Sequence, residues 1–531
     1  MADDLHPVKA PLERAYLAVD LGAASGRVML GRLSEDALEL EELHRFAQPV
    51  AFEGGHERWM LDRLLTEVMN GLHAVGQQQL VDPAEIRSVG VDGWGVDYGL
   101  LDDWETLIEN PVCYRDPRTD GMLEALLSKL PAQQIYARTG IQFMPINTSV
   151  QILAQIAAGE WPTQAKRLLM IPDLIHRHLS GVSTGEVTNA STTQLLHAGT
   201  REWDAQMLRA VGVAPEIMPS LVQPGTRLGC LLPEYRASTG LNRLEVVVPA
   251  THDTASAVAG TPLSPGWAFL SSGTWSLLGI ETSDPVFGDE AQCRNVTNEA
   301  GVYGTNRLLK NVMGLWMLES CRRIWESEGI GLSHKELLGG LQSAVIGDVH
   351  IDVDDMRFLN PKNMVREISS YLVERGQAIP SLPVGFARVI LESLALRCAQ
   401  VLDDLMTITS QKVRGIHVIG GGSRNNFLNQ ALASATGLAV RAGPVEATTI
   451  GNIMVQAIAD DALEHHSAAR TFVANTSTVR VFQPRDADRW ARARKLFRIT
   501  PTQPIVSWIT SGICSGITAP IRGTVPLVRR A

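Results

Sequence analysis

The sequence predicts an α/β protein built as two lobes that face each other across a cleft. A chain of 531 residues is too long for one hydrophobic core, so at least two large domains are expected. Apolar strand patterns occur together with helical patterns, such as those at 61–75 and 386–406. A strand, a small polar turn and a second strand follow one another at 15–31 and again at 266–280. One such hairpin near the start of each half indicates two related lobes, each a mixed sheet flanked by helices.

Composition and charge exclude several classes of protein. A hydrophobic content of 45% and a charged content of 20% are those of an ordinary globular protein. The formal net charge of −10 argues against partners that are nucleic acids or anionic membranes. No apolar run approaches the roughly 18 residues that span a bilayer, and the N-terminus lacks the apolar region of a signal peptide. Six scattered cysteines without a CxxC pair predict reduced thiols and no structural zinc, so we expect a cytoplasmic protein.

The first hairpin, at 15–31, ends its first strand at Asp20 and then turns through small residues. A P-loop or a Rossmann turn would continue into a helix, but the residues after Gly26 have a strand pattern. Backbone N–H groups of the turn and the Ser25 hydroxyl are therefore suited to hold phosphates. Asp20 is suited to hold Mg²⁺ through water. The alternative is a plain hairpin with an incidental carboxylate.

The strand at 87–101 carries two carboxylates, Asp92 and Asp97, on either side of Trp94. Its glycines allow a ligand to approach the backbone, and the flat apolar face of Trp94 beside polar groups suits a sugar. The alternative is a core tryptophan with glycines at a bulge.

The stretch at 246–256 is a buried strand of three valines that delivers Asp253 into a polar turn. An aspartate at the end of a strand and over a cleft is a common way to hold a general base. The alternative is an N-cap aspartate in front of an ordinary helix.

Two later stretches also predict ligand contacts. Residues 307–316 are predicted to lead into a helix through about Ser327, with Asn311 near its start, where free N–H groups can meet a ligand. A simple N-cap is the alternative for Asn311. Three glycines at 420–422 let the backbone lie against a ring or a phosphate.

Three polar segments are given no site of their own. The loops at 140–148 and 188–194 are rich in amides and hydroxyls and would be able to reach a cleft, although most such loops do not. The charged turn at 114–120 is interpreted as a local salt-bridge network.

Taken in order, these stretches resemble the FGGY family of carbohydrate kinases, within the actin-like ATPase superfamily. The motifs that carry the resemblance lie at 19–30, 93–97, 252–257, 270–277, 309–316 and 442–447. The resemblance implies two actin-like, ribonuclease H-like lobes: an N-terminal lobe at 15–248 with the sugar and phosphate sites, and a C-terminal lobe at 249–490 with the nucleotide site. The leader at 1–14 and the tail at 491–531 lie outside it and are expected to be disordered.

The resemblance also implies an activity. The expected reaction is phosphorylation of a ketose, L-rhamnulose, at its C1 hydroxyl by a monomeric enzyme that uses ATP and Mg²⁺. Asp253 would accept the proton of the sugar hydroxyl, and Asp20 would lie near the metal. The expected sugar contacts are Gly95, His252, Asp253, Thr254 and Asn311. The expected contacts with ATP and its phosphates are Ala23, Ala24, Ser25, Gly26, Arg27, Thr274, Glu319 and Gly421.

Two positions depart from the family pattern, and two alternatives to the expected function remain open. The familiar Ala-Ser-Ser turn is Ala23-Ala24-Ser25 here, which removes one hydroxyl, and Glu319 stands where relatives have an amide. The first alternative is a kinase for another ketose or polyol, such as L-fuculose, D-xylulose or glycerol. The second is a non-catalytic sugar or nucleotide sensor on the same fold.

Overall fold

The computed structural model describes residues 14–78, 81–341 and 348–497. The strands in this part of the chain are β1 (Arg14–Leu21), β2 (Ser25–Leu33), β3 (Leu38–Ala47), β4 (Val50–Glu53), β5 (His56–Trp59), β6 (Ile86–Gly93), β7 (Tyr98–Leu101), β8 (Arg167–Met170), β9 (Gly185–Glu186), β10 (Leu221–Val222), β11 (Arg227–Cys230), β12 (Glu245–Val247), β13 (Ala268–Ser272), β14 (Trp275–Thr282), β15 (Thr297–Ala300), β16 (Asn306–Met313), β17 (Gly415–Ile419), β18 (Ala439–Ala442) and β19 (Arg480–Phe482).

The α-helices are placed between and after these strands. They are α1 (Leu61–Gln78), α2 (Met122–Lys129), α3 (Ala132–Thr139), α4 (Thr148–Ala157), α5 (Ile171–Ser180), α6 (Val187–Ala190), α7 (Ala205–Val211), α8 (Pro233–Thr239), α9 (Asp253–Ala259), α10 (Asp289–Cys293), α11 (Trp316–Ser327), α12 (His334–Gly340), α13 (Met364–Glu374), α14 (Pro383–Thr409), α15 (Asn426–Thr436), α16 (Ala447–Ala459), α17 (His466–Thr476) and α18 (Ala487–Phe497).

Two large mixed sheets form the centres of the two lobes, and they share one topology. The N-terminal sheet has the order β11-β12-β6-β1-β2-β3, and the C-terminal sheet has the order β19-β18-β17-β13-β14-β16-β15. In each sheet an antiparallel hairpin (β1–β2 or β13–β14) continues through two parallel pairings into a final antiparallel strand. The prediction of two related lobes from two similar hairpins is therefore confirmed, with β15 as an added edge strand.

Helices α9 and α16 cross between the two sheets at two glycines. A Cβ added at Gly451 would lie 1.7 Å from the Ser256 carbonyl oxygen, and one added at Gly260 would lie 2.2 Å from the Ala447 carbonyl oxygen. Only glycine permits such close backbone approach. Polar side chains of α16 also bond to the N-terminal sheet: Gln456 Nε2 donates to the Leu17 carbonyl at 3.0 Å. The crossing therefore fixes how the lobes are joined below the cleft.

Two expectations about the chain change in the structure. Asn311 lies on strand β16 and not near a helix start, because helix α11 begins only at Trp316. Helix α18 runs through 491–497, so the expectation of a disordered tail from 491 is wrong there. Its residues Trp490, Ala493 and Phe497 form a helical apolar stripe that packs on the C-terminal core. Residues 1–13 and 498–531 lie outside the described residues, and the lobe boundary at 248/249 stays a prediction.

Two further findings concern membranes and cysteines. Within 14–78, 81–341 and 348–497, no helix has the length and apolar character to cross a membrane. Among the described residues, cysteines 113, 230, 321 and 398 are free thiols, as expected for those positions.

Candidate active site

A cavity of about 460 Å³ lies between the two lobes, where both hairpins, the end of β6 and the start of α9 meet. Twelve of the predicted site residues line it: Asp20, Ala23, Ala24, Ser25, Arg27, Gly95, His252, Asp253, Thr254, Thr274, Asn311 and Gly421. The residues were predicted from separate stretches of the chain, and the fold brings them to one cavity.

The two remaining predicted contacts, Gly26 and Glu319, do not line this cavity. A Cβ at Gly26 would lie 2.2 Å from the ring of Phe46, so this glycine is required by packing on the far side of the hairpin. Glu319 lies on α11 and forms ion pairs one helical turn away, at 3.0 Å with Arg322 and 3.5 Å with Arg323.

Asp253 is the first residue of α9, and its side chain keeps 32% exposure to the cleft. Its Oδ1 accepts a hydrogen bond from the Thr254 hydroxyl at 3.2 Å and lies 3.4 Å from His252 Nε2. Burial raises the pKa of Asp253 above its usual value, the charge of Asp20 acts in the same direction, and His252 opposes both. A fixed carboxylate with a raised pKa is suited to accept a proton. The N-cap alternative fails, because the N-cap residue is His252 and its side chain makes no cap bond.

Asp20 is buried at the end of β1, and its carboxylate forms an ion pair with the Arg27 guanidinium. Its Oδ2 accepts a hydrogen bond from Arg27 Nη2 at 2.5 Å and from the Thr449 hydroxyl at 3.3 Å. Arg27 also pairs with Glu446, at the start of α16. Burial would lower the pKa of Arg27, but the two carboxylates outweigh it and raise that pKa. Arg27 thus joins the two lobes at the predicted phosphate site, where its guanidinium is paired with both Asp20 and Glu446.

Asp92 is a third carboxyl group beside the cleft and is fully buried. It lies opposite Asp20 in the parallel register of β1 and β6. Its Oδ2 accepts a bond from Asn452 Nδ2 at 2.6 Å, whereas its Oδ1 has no hydrogen-bond partner in the part of the chain that the structure describes. Burial raises the pKa of Asp92 well above its usual value, and the charges of Asp20 and Asp253 add to this.

The donor set of this wall fits a magnesium ion. Mg²⁺ usually takes one or two carboxylates together with water and phosphate oxygens. Asp20 and Asp253 face the same cavity, and a buried carboxyl oxygen of Asp92 beside them lacks a partner. In the described residues, no group of three His, Cys, Asp or Glu side chains is placed to hold a metal ion by itself.

The far end of the cavity is formed by two backbone turns. In the β13–β14 hairpin, Gly273 N–H donates to the Trp275 carbonyl at 2.9 Å, and Thr274 at the tip lines the cavity. A Cβ at Gly422 would lie 2.0 Å from Ser272 Oγ, whereas a Cβ at Gly421 would meet open space. Gly422 therefore packs the turn against the hairpin, and Gly421 leaves its surface open for a flat ring or a phosphate.

Trp94 lines the cleft, as the sugar interpretation requires, and is also packed and hydrogen-bonded from behind, as a core tryptophan would be. Its ring centre lies 4.4 Å from that of Trp59, and both indole N–H groups donate to Asp97 Oδ2, at 3.0 and 2.7 Å. Gln151 Nε2 donates to Asp97 Oδ1 at 3.1 Å, and Tyr114 N–H to Oδ2 at 3.3 Å. Asp97 thus positions the aromatic wall and does not itself face the cleft.

Asp97→Asn is expected to lower the free energy of unfolding at pH 7 by about 1–3 kcal/mol. The new amide N–H group would face groups that themselves donate hydrogen bonds to Asp97 in the wild type. Burial raises the pKa of Asp97 to about 6 despite its four donors. Since this folded-state value exceeds the unfolded one, the wild type loses stability as the pH rises from about 4 to about 6. The variant lacks that dependence, so its deficit is larger at pH 4.5 than at pH 7. Urea unfolding at both pH values measures it, and an equal deficit would show that Asp97 is not protonated in the folded state.

Gln142, in one of the polar loops, contacts the predicted sugar residue Asn311 across the lobes. Its Oε1 accepts the Asn311 backbone N–H at 2.9 Å, and its Nε2 donates to the Asn311 carbonyl at 3.2 Å. Both loops that were given no site reach the cleft, through Gln142 and Asn147 in the first and Thr192 in the second. A Cβ at Gly95 would lie 2.8 Å from Thr192 Oγ1, which explains the glycine there.

The charged turn at 114–120 is not the predicted local salt-bridge network. Among the described residues its one ion pair joins Asp116 to His56, outside the turn, and Arg115 instead joins the lobes through aromatic rings. Its guanidinium lies 4.4 Å from the ring centre of Trp316 and 5.2 Å from that of Trp275. It also donates to the Leu359 carbonyl.

Sequence reasoning gave no role to a buried ion pair behind His252. Glu299 on β15 and Arg307 on β16 are directly opposite in register, and Arg307 Nη2 lies 3.2 Å from Glu299 Oε2 and 3.1 Å from His252 Nδ1. Burial would raise the pKa of Glu299, but His252 and Arg307 outweigh it and lower that pKa. The sequence does carry one signal for this pair, because Glu299 and Arg307 are opposite charges on two neighbouring strand patterns, and such residues can pair across strands.

Comparisons with known proteins agree with this geometry. The family descriptions "FGGY family of carbohydrate kinases, N-terminal domain" and "C-terminal domain" match residues 15–260 and 268–459. A rhamnulokinase from Bacillus subtilis (strain 168) is 39% identical over 475 residues, which are 89% of this chain and 96% of that protein. A rhamnulokinase from Pectobacterium carotovorum subsp. carotovorum (strain PC1) is 41% identical over 491 residues, 90% of this chain and 96% of that protein.

Among solved structures, a ligand-bound xylulose kinase from Lactobacillus acidophilus has a TM-score of 0.74. The likeness covers 94% of this chain and 99% of that one, at 16% identity. It extends over both lobes and, at this identity, is evidence for the fold alone.

Proposed function

Because the chain belongs to the FGGY family of carbohydrate kinases, we propose that it phosphorylates L-rhamnulose at its C1 hydroxyl, giving L-rhamnulose 1-phosphate and ADP, as a step of L-rhamnose catabolism. The actin-like α/β fold with two lobes is the one its structural relatives have. One observation carries the mechanism: Asp253 faces the cavity into which both hairpin turns point. The choice of sugar is supported by the relatives of about 40% identity that are named rhamnulokinase.

Transfer would begin with the sugar held beside Trp94, where His252, Thr254 and Asn311 offer polar groups to its hydroxyls. As the C1 oxygen attacks the γ-phosphorus of ATP, its proton passes to the Asp253 carboxylate. The new O–P bond forms while the bond from the γ-phosphorus to the β–γ bridging oxygen breaks, and ADP leaves. Phosphoryl transfer depends mainly on positioning and on neutralising charge.

The geometry of the cavity wall supports the residues that we assign to the phosphates and the metal. Asp20 would hold Mg²⁺ through water, and the ion when bound would neutralise the phosphate oxygens. Ala23, Ala24 and Ser25 offer backbone N–H groups at the turn of the first hairpin, and Thr274 and Gly421 form the opposite wall for the nucleotide. We assign no ATP contact to the Glu319 side chain, since it pairs with two arginines outside the cavity.

Purified protein is expected to release ADP from Mg²⁺-ATP fastest with L-rhamnulose, in a parallel test of L-fuculose, D-xylulose, L-ribulose and glycerol. EDTA should reduce this turnover to background, because without Mg²⁺ the phosphate charges are no longer neutralised. Added Mg²⁺ should restore it. A coupled assay of ADP release measures both effects. Preference for another sugar would overturn the substrate, and ATP binding without sugar-stimulated ADP release would favour the sensor.

Two finer points belong to the same proposal. The enzyme would work in the cytoplasm, where ATP is available, and as a monomer. Light scattering coupled to size-exclusion chromatography tests the monomer, which predicts a mass near 57.7 kDa.

A further inference from the structure

A groove on the C-terminal lobe, lined by residues other than those of the cleft, carries four arginines in a chain of net charge −10. It has a volume of about 820 Å³ and lies between the start of α15, the edge strand β19 and the start of α18. Its charged lining residues are Arg388, Arg480, Arg485, Arg489, Glu392 and Asp486. Four guanidinium groups against two carboxylates leave the groove with two positive charges. Such a local field favours an anion.

Two of these arginines are held in place by one buried carboxylate. Glu392 is 1% exposed and accepts bonds from Arg388 Nε at 2.9 Å and Arg489 Nη2 at 2.6 Å. Aromatic rings fix the same two guanidinium groups: that of Arg388 lies 5.8 Å from the ring centre of Phe427, and that of Arg489 lies 4.9 Å from that of Trp490. Side chains ordered before binding lose less entropy when a ligand arrives.

The other two arginines have no carboxylate partner within residues 14–78, 81–341 and 348–497. Arg480 donates to Asn426 Oδ1 and to the Ser423 carbonyl, both at 2.6 Å, so neutral acceptors hold it at the start of α15. Arg485 is exposed, and its backbone N–H donates to Ser434 Oγ at 3.1 Å. Arginine presents a planar fork of donors that matches the geometry of a phosphate group.

We propose that this groove is a second ligand site, which binds a small anion through a phosphate group. The unpaired charges of Arg480 and Arg485 would engage the phosphate oxygens, and the ordered Arg388 and Arg489 would supply the wall. Free phosphate and the phosphate of a small metabolite share this chemistry. The site depends on contacts outside the cleft and is independent of the sugar that the cleft accepts.

Isothermal titration calorimetry tests the proposal on the full chain, with the cleft first filled by Mg²⁺, sugar and a non-hydrolysable ATP analogue. The probes are inorganic phosphate and glucose 1-phosphate. We expect one additional site in the wild type, and binding at least about tenfold weaker in Arg485→Glu, because a charge-assisted bond is lost and a repulsion is added. Tighter binding of the ester would identify a metabolite, and tighter binding of inorganic phosphate would identify the free ion.

Arg492→Glu is the matched control, since Arg492 is exposed on α18 and does not line the groove. It makes the same change in net charge and should leave probe binding unchanged. Both variants should keep wild-type turnover, which shows that they fold. The proposal is overturned if neither probe binds the wild type, or if the two variants weaken binding equally.

Discussion

Asp253→Asn is expected to lower turnover by about 10²- to 10⁴-fold, the usual contribution of a general base. Asparagine has nearly the same shape and keeps an oxygen for the Thr254 bonds that Asp253 Oδ1 accepts. It cannot take up the proton of the attacking hydroxyl. The change therefore removes the proton acceptor while the walls of the cavity stay in place. ADP release with saturating sugar and Mg²⁺-ATP measures turnover, and calorimetry with the ATP analogue should show that the nucleotide still binds.

The control for this change is Asp103→Asn, which makes the same chemical substitution at an aspartate whose side chain is 73% exposed. Its turnover should equal that of the wild type. Near-normal turnover of Asp253→Asn would remove Asp253 from the role of base. Loss of ATP binding together with turnover would instead indicate that Asp253 acts mainly through the metal.

The sequence predicted the residues that end strands and form turns, because such positions are marked by local patterns. Asp20 and Asp253 both follow apolar strand runs, and the fold places them on one cavity as expected. The repeated hairpin predicted two related lobes for the same reason. The sequence predicted that the glycines at 420–422 allow a close approach, but not whether a ligand or another part of the chain approaches each one. In the structure Gly421 faces the cavity, whereas Gly422 packs against Ser272.

Contacts between distant segments were not predictable in this way. Gln142 lies in a polar loop like many others, and only the approach of β16 gives it a partner at Asn311. Arg27 was predicted to bind phosphates, but its position opposite Asp20 in the hairpin and beside α16 gives it two carboxylates first. Asn311 was placed near a helix start because its strand runs almost directly into α11. In each case the missing information is which elements pack together.

Arg307→Met is expected to lower the free energy of unfolding by about 3–5 kcal/mol, because removing one member of a buried ion pair leaves the other without its partner. Arg307 is 0% exposed, and Glu299, its partner, is 5% exposed at the side chain. Arg307 also bonds to the Ala300 carbonyl through Nε and Nη2, at 3.2 and 3.0 Å. Methionine fills much of the same volume but replaces none of these bonds. His252 loses its contact as well, so the KM for sugar should rise in the protein that remains folded.

The pH dependence of this loss distinguishes the ion pair from simple packing. Without the cation, only His252 and Asn311 still oppose burial, so we expect the pKa of Glu299 in the folded variant to rise above its value in the unfolded chain. A group with that relation contributes stability at low pH and loses it as the pH rises. The deficit of Arg307→Met, from urea unfolding, should therefore be smaller at pH 5 than at pH 8. Glu299→Gln/Arg307→Met should recover part of it at pH 8, because no buried carboxylate is left.

The reference for both measurements is Arg63→Met, at an exposed arginine of helix α1. A surface change of this kind usually alters stability by less than about 0.5 kcal/mol. If Arg307→Met lowered the free energy of unfolding no more than Arg63→Met does, the ion pair would add no stability beyond the packing that methionine restores. If its loss were large but the same at pH 5 and pH 8, the deficit would come from the bonds to Ala300 and from packing. Only a large, pH-dependent loss that the double variant partly recovers assigns the stabilisation of the His252 turn to the charges of Glu299 and Arg307.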